Sequence, residues 1–318
     1  MALDGESITD KEDTIGAGAP EGSAFRSGFV AVVGRPNTGK STLVNALVGD
    51  KVAITSPRPQ TTRSAVRGII DGDGYQAVLV DTPGYHKPRT LLGERLNEVV
   101  RAAWSDVDLA LFVVDGRAGV GRGDRHVADD LKAARCPIYC IVNKIDLMRP
   151  PQVVEELTAA AELGDFAEFV PVSAHEGTSV DVVRDLIAGA LEEGPMYYPP
   201  GTRRDQPPPT FVAELVREKL LARMREEIPH SIAVVTDEFG EREDGLLEIK
   251  ATIYVERESQ KGMVIGKGGK TVKEVGTEAR EEVELLFGRR VFLGLRARVE
   301  KDWQRHPHAL QRLGFGPE

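Results

Sequence analysis

Cysteine is nearly absent from this chain: Cys136 and Cys140 are the only two in 318 residues. Both fall at a short apolar run, Pro137 to Val142, that reads as a buried strand. Four residues apart along a strand, their Cα atoms would stand roughly 13 Å apart, too far for a disulfide. No further ligands lie nearby in the sequence to complete a metal site. They read as small core residues of a cytosolic protein. Long hydrophobic runs are missing as well. No stretch approaches the roughly 18 apolar residues of a transmembrane helix. Residues 1–25 lack the basic start and apolar stretch of a signal peptide. Acidic, Gly-rich and poor in apolar side chains, they read as a disordered tail. Internal repeats are missing too. Nor is there an overall excess of positive charge. The net charge is −9, which argues against a nucleic-acid partner until its distribution is mapped.

That distribution is uneven. Residues 1–201 hold 20 basic and 29 acidic side chains, whereas residues 202–318 hold 21 of each. Within 261–312 there are 12 basic and 7 acidic residues, a local net charge of +5. A polyanion would need such an excess locally and not over the whole chain.

At 318 residues the chain is long enough for two domains. From Phe29 to Leu191 short apolar runs alternate with helical patterns. Strands are expected at Phe29–Val33, Ala65–Asp71, Gln76–Asp81, Leu109–Asp115, Ile138–Asn143 and Glu168–Pro171. Helices are expected at Lys40–Val48, Glu94–Trp104, Arg125–Ala134, Gln152–Leu163 and Val180–Leu191. The alternation predicts an α/β domain over 26–193, a mostly parallel sheet with helices on both faces. Asp71-Gly72-Asp73-Gly74 is hairpin chemistry and predicts one antiparallel edge pair. A Pro-rich segment, 194–210, reads as a stiff linker. Beyond it, 211–318 reads as a smaller α+β domain. It is expected to hold a helix from Phe211 to Glu227 ended by Pro229, strands at Ser231–Thr236 and Leu246–Tyr254, a glycine loop, a helix at Thr271–Leu286 and a strand at Val291–Val299.

Two glycine loops carry the chemistry. Gly34-Arg35-Pro36-Asn37-Thr38-Gly39-Lys40-Ser41, with Thr42 beyond, fits the P-loop pattern and lies between an expected strand and an expected helix. Backbone N–H groups there would wrap phosphate, Lys40 would reach the β/γ-phosphates, and the Ser41 hydroxyl would hold Mg²⁺. Asn143-Lys144-Ile145-Asp146 selects the base. Guanine presents two adjacent N–H donors that the Asp146 carboxylate can accept, and adenine lacks that pair. Ser173-Ala174-His175 follows the next strand and resembles the loop that supports the guanine carbonyl in GTPases. In Asp81-Thr82-Pro83-Gly84, Asp81 would hold Mg²⁺ through water and the Gly84 N–H would bind the γ-phosphate. A threonine of Gln60-Thr61-Thr62-Arg63 would bind Mg²⁺ only while the γ-phosphate is present; Thr62 is favoured over Thr61. Lys40, Thr62 and Gly84 are thus the expected catalytic set. Ras-like proteins place a water-orienting glutamine directly after Asp-x-x-Gly. Here that position is Tyr85, which predicts slow intrinsic hydrolysis raised by a partner. His86 is a weaker substitute candidate.

The second loop is Gly266-Lys267-Gly268-Gly269, followed by Lys270 and a helix. KH domains use a G-x-x-G loop to grip the backbone of about four single-stranded nucleotides. Glycine permits close approach and lysine supplies counter-charge. The helix-first order fits the type II arrangement. After the last strand, basic and aromatic residues alternate. Trp303 or Phe315 would stack on bases or anchor the tail, and for Trp303 the anchor is favoured. Arg289 and Arg290 read equally as phosphate contacts or as a solvated strand end.

With these motifs in this order, together with Ile228-Pro229-His230-Ser231 and the Arg312-Leu313-Gly314-Phe315 ending, the stretch from Phe29 to Phe315 resembles the Era family of bacterial GTPases. The resemblance implies a P-loop GTPase domain joined to a type II KH domain, with GTP, GDP and Mg²⁺ as ligands. It implies binding near the 3′ end of 16S ribosomal RNA and a role in maturing the small (30S) ribosomal subunit. It also implies a cytoplasmic protein that associates peripherally with the inner membrane face. A monomer is expected, and DNA is not an expected partner. The competing reading is a GTPase whose KH-like domain is a protein- or membrane-interaction module. The local basic excess and the glycine loop argue against it.

Overall fold

Strand β1, Arg26–Val33, is apolar almost throughout, and residues 30–33 are fully buried. A strand this apolar belongs in the centre of a sheet covered on both faces. That is where it lies. The sheet also contains β2 (Val66–Gly72), β3 (Tyr75–Asp81), β4 (Leu109–Asp115), β5 (Ile138–Asn143) and β6 (Glu168–Val172). Its order is β2-β3-β1-β4-β5-β6. Only the β2–β3 pair is antiparallel, joined by the tight turn at Asp73-Gly74. The computed structural model describes residues 24–58, 61–85, 88, 90–224 and 228–315. The disordered-tail reading of the N-terminus therefore falls almost wholly outside the described residues, as do Gln60 and His86.

Five helices cover the two faces: α1 (Lys40–Val48), α2 (Leu91–Ser105), α3 (Arg122–Leu131), α4 (Pro150–Ala161) and α5 (Val180–Ala190). One core is built from Leu43, Leu47, Leu79, Leu111, Val183 and Ile187; the other, on the opposite face, from Val100, Phe112, Leu131, Cys140 and Phe166. Cys140 is buried in β5, whereas Cys136 precedes the strand and is only half-buried; neither is in a disulfide.

The Pro-rich segment is docked along the sheet edge. The Ile69 N–H donates to the Arg203 carbonyl, and the Asp205 N–H to that of Arg67. The Gln76 side chain holds the backbone of Tyr197 and Tyr198. An edge strand that would otherwise expose open backbone groups is thereby covered.

The second unit comprises α6 (Pro208–Arg223), α7 (Ile228–Ser231), β7 (Ala233–Glu241), β8 (Leu247–Val255), α8 (Glu258–Ile265), α9 (Lys270–Phe287), β9 (Val291–Val299) and α10 (Pro307–Arg312). Its sheet runs β7-β8-β9, with β7 antiparallel and β9 parallel to β8. Three expectations need correction. Helix α6 starts at Pro208, because proline suits the first helical turn where no N–H bond is needed. It ends at Arg223, where Met224 turns extended, so Pro229 does not end it and instead lies within α7. The segment leading into the glycine loop is itself a helix, α8. No helix among the described residues is long and apolar enough to cross a membrane.

Candidate nucleotide and RNA sites

The nucleotide site collects at the C-terminal ends of β1, β3, β5 and β6, where a doubly wound sheet places its ligands. The P-loop leaves β1 and enters α1 through Gly39, whose φ is +93°. A Cβ at Gly39 would stand 2.3 Å from Asn143 Nδ2. Lys40 is buried, and its ammonium donates to the carbonyls of Gly34 (3.1 Å) and Arg35 (2.8 Å). Burial pushes that ammonium down to about 8, and the Asp81 charge opposes the shift. The cleft in front of the loop is lined by Pro36, Asn37, Gly39, Lys40, Ser41, Thr42, Thr61, Thr62 and Gly84. Gly84 has no room for a side chain: a Cβ there would lie 2.6 Å from Pro36 Cα.

Three polar side chains converge beside the loop. Ser41 Oγ is 2.9 Å from Thr62 Oγ1 and donates to Asp81 Oδ2 at 2.6 Å; Thr62 Oγ1 donates to the same oxygen at 3.2 Å. Asp81 is fully buried, and its Oδ1 has no hydrogen-bond partner among the described residues. Burial pushes its carboxyl up to about 6, against the Ser41 and Thr62 hydrogen bonds and the Lys40 charge. An unsatisfied buried carboxylate oxygen beside two hydroxyls fits Mg²⁺, which keeps waters and takes few protein oxygens. Thr61 is not in this group; its hydroxyl donates to the Arg58 carbonyl.

At the base end, Asn143 ties two loops together. Its Nδ2 donates to the Thr38 carbonyl at 2.9 Å, and its Oδ1 accepts from the Ala174 N–H at 3.0 Å. Lys144, at φ +70°, donates to the Asn37 carbonyl and to Asp115. Asp146 is exposed, and its Oδ1 accepts from Ser173 Oγ at 2.6 Å.

Several expected site residues turn their side chains elsewhere. Thr82 Oγ1 donates to the Val32 carbonyl in the core. Arg35 pairs with Asp124. Tyr85 is 3% exposed, packs against Trp104 and His126, and accepts at its hydroxyl from Arg101. Only its backbone faces the P-loop, the N–H donating to Gly34. Conversely Ile54, Thr55 and Ser56 line the cleft. Nothing in their residue types marks them for it.

The second glycine loop joins α8 to α9. Gly266, Gly268 and Gly269 have φ of +76°, +61° and +79°, the left-handed region that glycine enters freely. Lys267, Gly268 and Lys270 are exposed. Lys270 reaches back only loosely, to Glu274 at 3.8 Å. Trp303 is the favoured anchor: it is wholly buried, donates from Nε1 to the Ser231 carbonyl and stacks on Phe315 at 5.4 Å. Arg289 pairs with Glu241 and bonds the Gly245 carbonyl, which favours the solvated strand end.

The segment before and through Thr62 is fastened to the second unit, a feature the sequence reading missed. Lys51 pairs with Glu218 and Glu282, and the Thr55 N–H donates to Glu218. Arg63, 4% exposed, donates to the carbonyls of Ile232 (2.5 Å), His230 (2.9 Å) and Pro229 (3.2 Å). Burial, with Arg217 adding, pushes the Arg63 guanidinium below its ordinary value. Helix α2 joins a shared core in which Leu92 and Leu96 meet Trp303, Leu310 and Leu313.

A P-loop with a guanine-reading sheet end, followed by a type II KH fold, defines the class: a GTPase joined to a KH domain. Comparison with known proteins agrees. A family profile described as 50S ribosome-binding GTPase matches residues 29–144, and one for the KH domain matches 227–304. The GTPase Era of Mycobacterium avium is 53% identical over 296 residues, covering 92% of this chain and 99% of that protein. Era of Mycobacterium tuberculosis is likewise 53% identical, over 297 residues, covering 92% and 99%. Among solved structures, Era in complex with MgGDPNP and nucleotides 1506–1542 of 16S ribosomal RNA matches with a TM-score of 0.89 and 36% identity, covering 92% of this chain and all of that one. A point variant of Aquifex aeolicus Era bound to GDP·AlF4⁻ matches at 0.87, with the same identity and coverage. The chain belongs to the Era family of GTPases. It is a GTPase whose cofactors are guanine nucleotide and Mg²⁺.

Proposed function

We propose that this chain is a GTP-driven assembly factor of the small ribosomal subunit, whose second domain grips the 3′ end of 16S ribosomal RNA. The observation that carries this reading is the exposed Gly266–Lys270 loop, left-handed at three glycines and flanked by lysines. It sits in a chain that resembles, over 92% of its length, an Era structure holding that RNA. The functional units are 26–193 and 208–315, with 194–207 connecting them. In the first, Lys40, Thr62 and the Gly84 N–H act on the γ-phosphate, and Ser41, Thr62 and Asp81 hold Mg²⁺. Backbone groups from Gly34 to Thr42 cradle the remaining phosphates. Asn143, Lys144, Asp146, Ser173 and Ala174 form the guanine end, with the exposed Asp146 carboxylate accepting from the base. Tyr85, in the place of the water-orienting glutamine, is withdrawn into the core, and intrinsic turnover is slow. In the second unit Gly266, Lys267, Gly268, Gly269 and Lys270 hold the RNA backbone.

A fluorescent RNA of the 16S 3′-end sequence, titrated against the full chain, tests the reading beside a scrambled RNA of equal length. The 3′-end sequence is expected to bind at least about tenfold more tightly. Gly268→Asp places a carboxylate where phosphate would lie and is expected to abolish that difference while leaving GTP affinity within twofold. Equal binding of the two RNAs would contradict the proposal.

A further inference from the structure

Two side chains of the second domain reach across to the backbone beside the metal-binding threonine, and one side chain of that segment reaches back. Arg217, on α6, is 1% exposed. It donates to the Thr61 carbonyl and is itself held by both Glu214 oxygens. Glu218, one residue on, takes the Thr55 N–H at 2.8 Å. On the far side of Thr62, Arg63 plugs into the three carbonyls around α7. Thr62 is therefore suspended between two buried guanidinium groups, one bonding the residue before it and one belonging to the residue after. A buried guanidinium has few alternatives to its acceptors, so moving this backbone would strand charge in the interior. Arg63 Nε and Arg217 Nη1 already lack partners among the described residues. This arrangement is thus not a surplus of satisfied bonds. It is a costly placement that fixes one short segment.

We propose that Arg217, a residue of the RNA-binding domain, is a positioning residue of the nucleotide site, acting with Arg63 to hold Thr62 over Ser41 and Asp81. The inference rests on the assignment of Thr62 to Mg²⁺ made above, but not on RNA recognition. In an isolated G domain, ordering this segment would fall to the γ-phosphate and metal alone. Here the second domain has already ordered it. By linkage, whatever favours the docked interface favours GTP over GDP, and GTP with Mg²⁺ favours the docked interface in return. The γ-phosphate is thereby read at the domain boundary and not only at the cleft.

The test uses the full chain with Arg217→Met, which keeps length and removes the donors, and Arg217→Lys as the conservative variant. Affinities are measured for a non-hydrolysable GTP analogue and for GDP, each across a Mg²⁺ titration. Arg217→Met is expected to weaken the GTP analogue about tenfold and GDP less than twofold. The Mg²⁺ needed for half-saturation should rise in the analogue complex alone, and Arg217→Lys should recover part of both effects. Loss of affinity for both nucleotides alike, or for neither, would overturn the proposal. A cycle with Thr62→Ala guards against simple unfolding. In the Thr62→Ala chain, Arg217→Met should change analogue affinity less than twofold, because the threonine it positions is gone. Fully additive losses would overturn the proposal too. Absence of RNA binding would leave every one of these outcomes unmoved and would count only against the assembly-factor reading.

Discussion

Tyr85 follows the glycine of Asp81-Thr82-Pro83-Gly84, the place where Ras-like proteins keep a glutamine, and the structure gives it other work. Its ring belongs to the core beneath α2 and α3, and its hydroxyl is engaged by Arg101. Tyr85→Gln is therefore expected to leave the single-turnover rate no faster, because the side chain points away from the cleft. It should also cost about 2–4 kcal/mol of stability through the cavity and the buried amide. Quenched-flow hydrolysis and a urea melt check the two halves, and a faster rate would mean that the residue reaches the attacking water. Cysteine chemistry divides similarly. Burial pushes the Cys140 thiol from an ordinary 9.0 up to about 12, with Asp124 adding. A pKa raised on folding gives a contribution that is whole below the unfolded value and is lost as pH rises toward 12. Iodoacetamide at pH 8 should label half-buried Cys136 and spare Cys140 until urea is added.

At the scale of elements, most of the first domain was legible. Helix α1 begins and ends at the expected residues because Gly39 and Gly49, both left-handed, bracket it. Strands β4 and β5 match for a related reason: continuous apolar runs bounded by turn residues have sharp edges. Helix α8 was not legible. At eight residues, Glu258–Ile265 shows only about two turns of pattern, and its apolar end read as a lead-in to the glycine loop. The Arg63 contacts were invisible for a deeper reason. Their acceptors are backbone carbonyls 166 to 169 residues away, and a carbonyl leaves no mark on residue identity. The residues gathered at the nucleotide cleft were legible by their motif spacing, whereas Thr55 and Ser56 enter it only through the path of the chain. Trp303 shows what the tail contributes as an element: its indole joins Ser231, Phe315 and the α2 leucines into one core. Trp303→Ala is expected to cost about 3–5 kcal/mol and to release the α10 segment. A thermal melt with limited proteolysis of the C-terminus reads both effects, and an unchanged melt would show that the tail is not structural.

Over the whole molecule the proposed work of the two glycine loops differs: the first would hold a phosphate lost on hydrolysis, the second an RNA backbone that stays. What joins them is a continuous interface. It runs from Lys51 and Ile54 against α6 and α9, through Thr61 to Arg63 against α6 and α7, to α2 against the C-terminal tail. The segment around Thr62 and helix α2 therefore both end on the KH half. Nucleotide state and RNA affinity should then be coupled, by an amount typical of two-state devices, about 5- to 150-fold. The direct measurement is the dissociation constant of the 16S 3′-end RNA for the full chain saturated with a GTP analogue and Mg²⁺, against the same chain saturated with GDP. The account predicts tighter binding with the analogue by at least about fivefold; equal constants in the two states would contradict it.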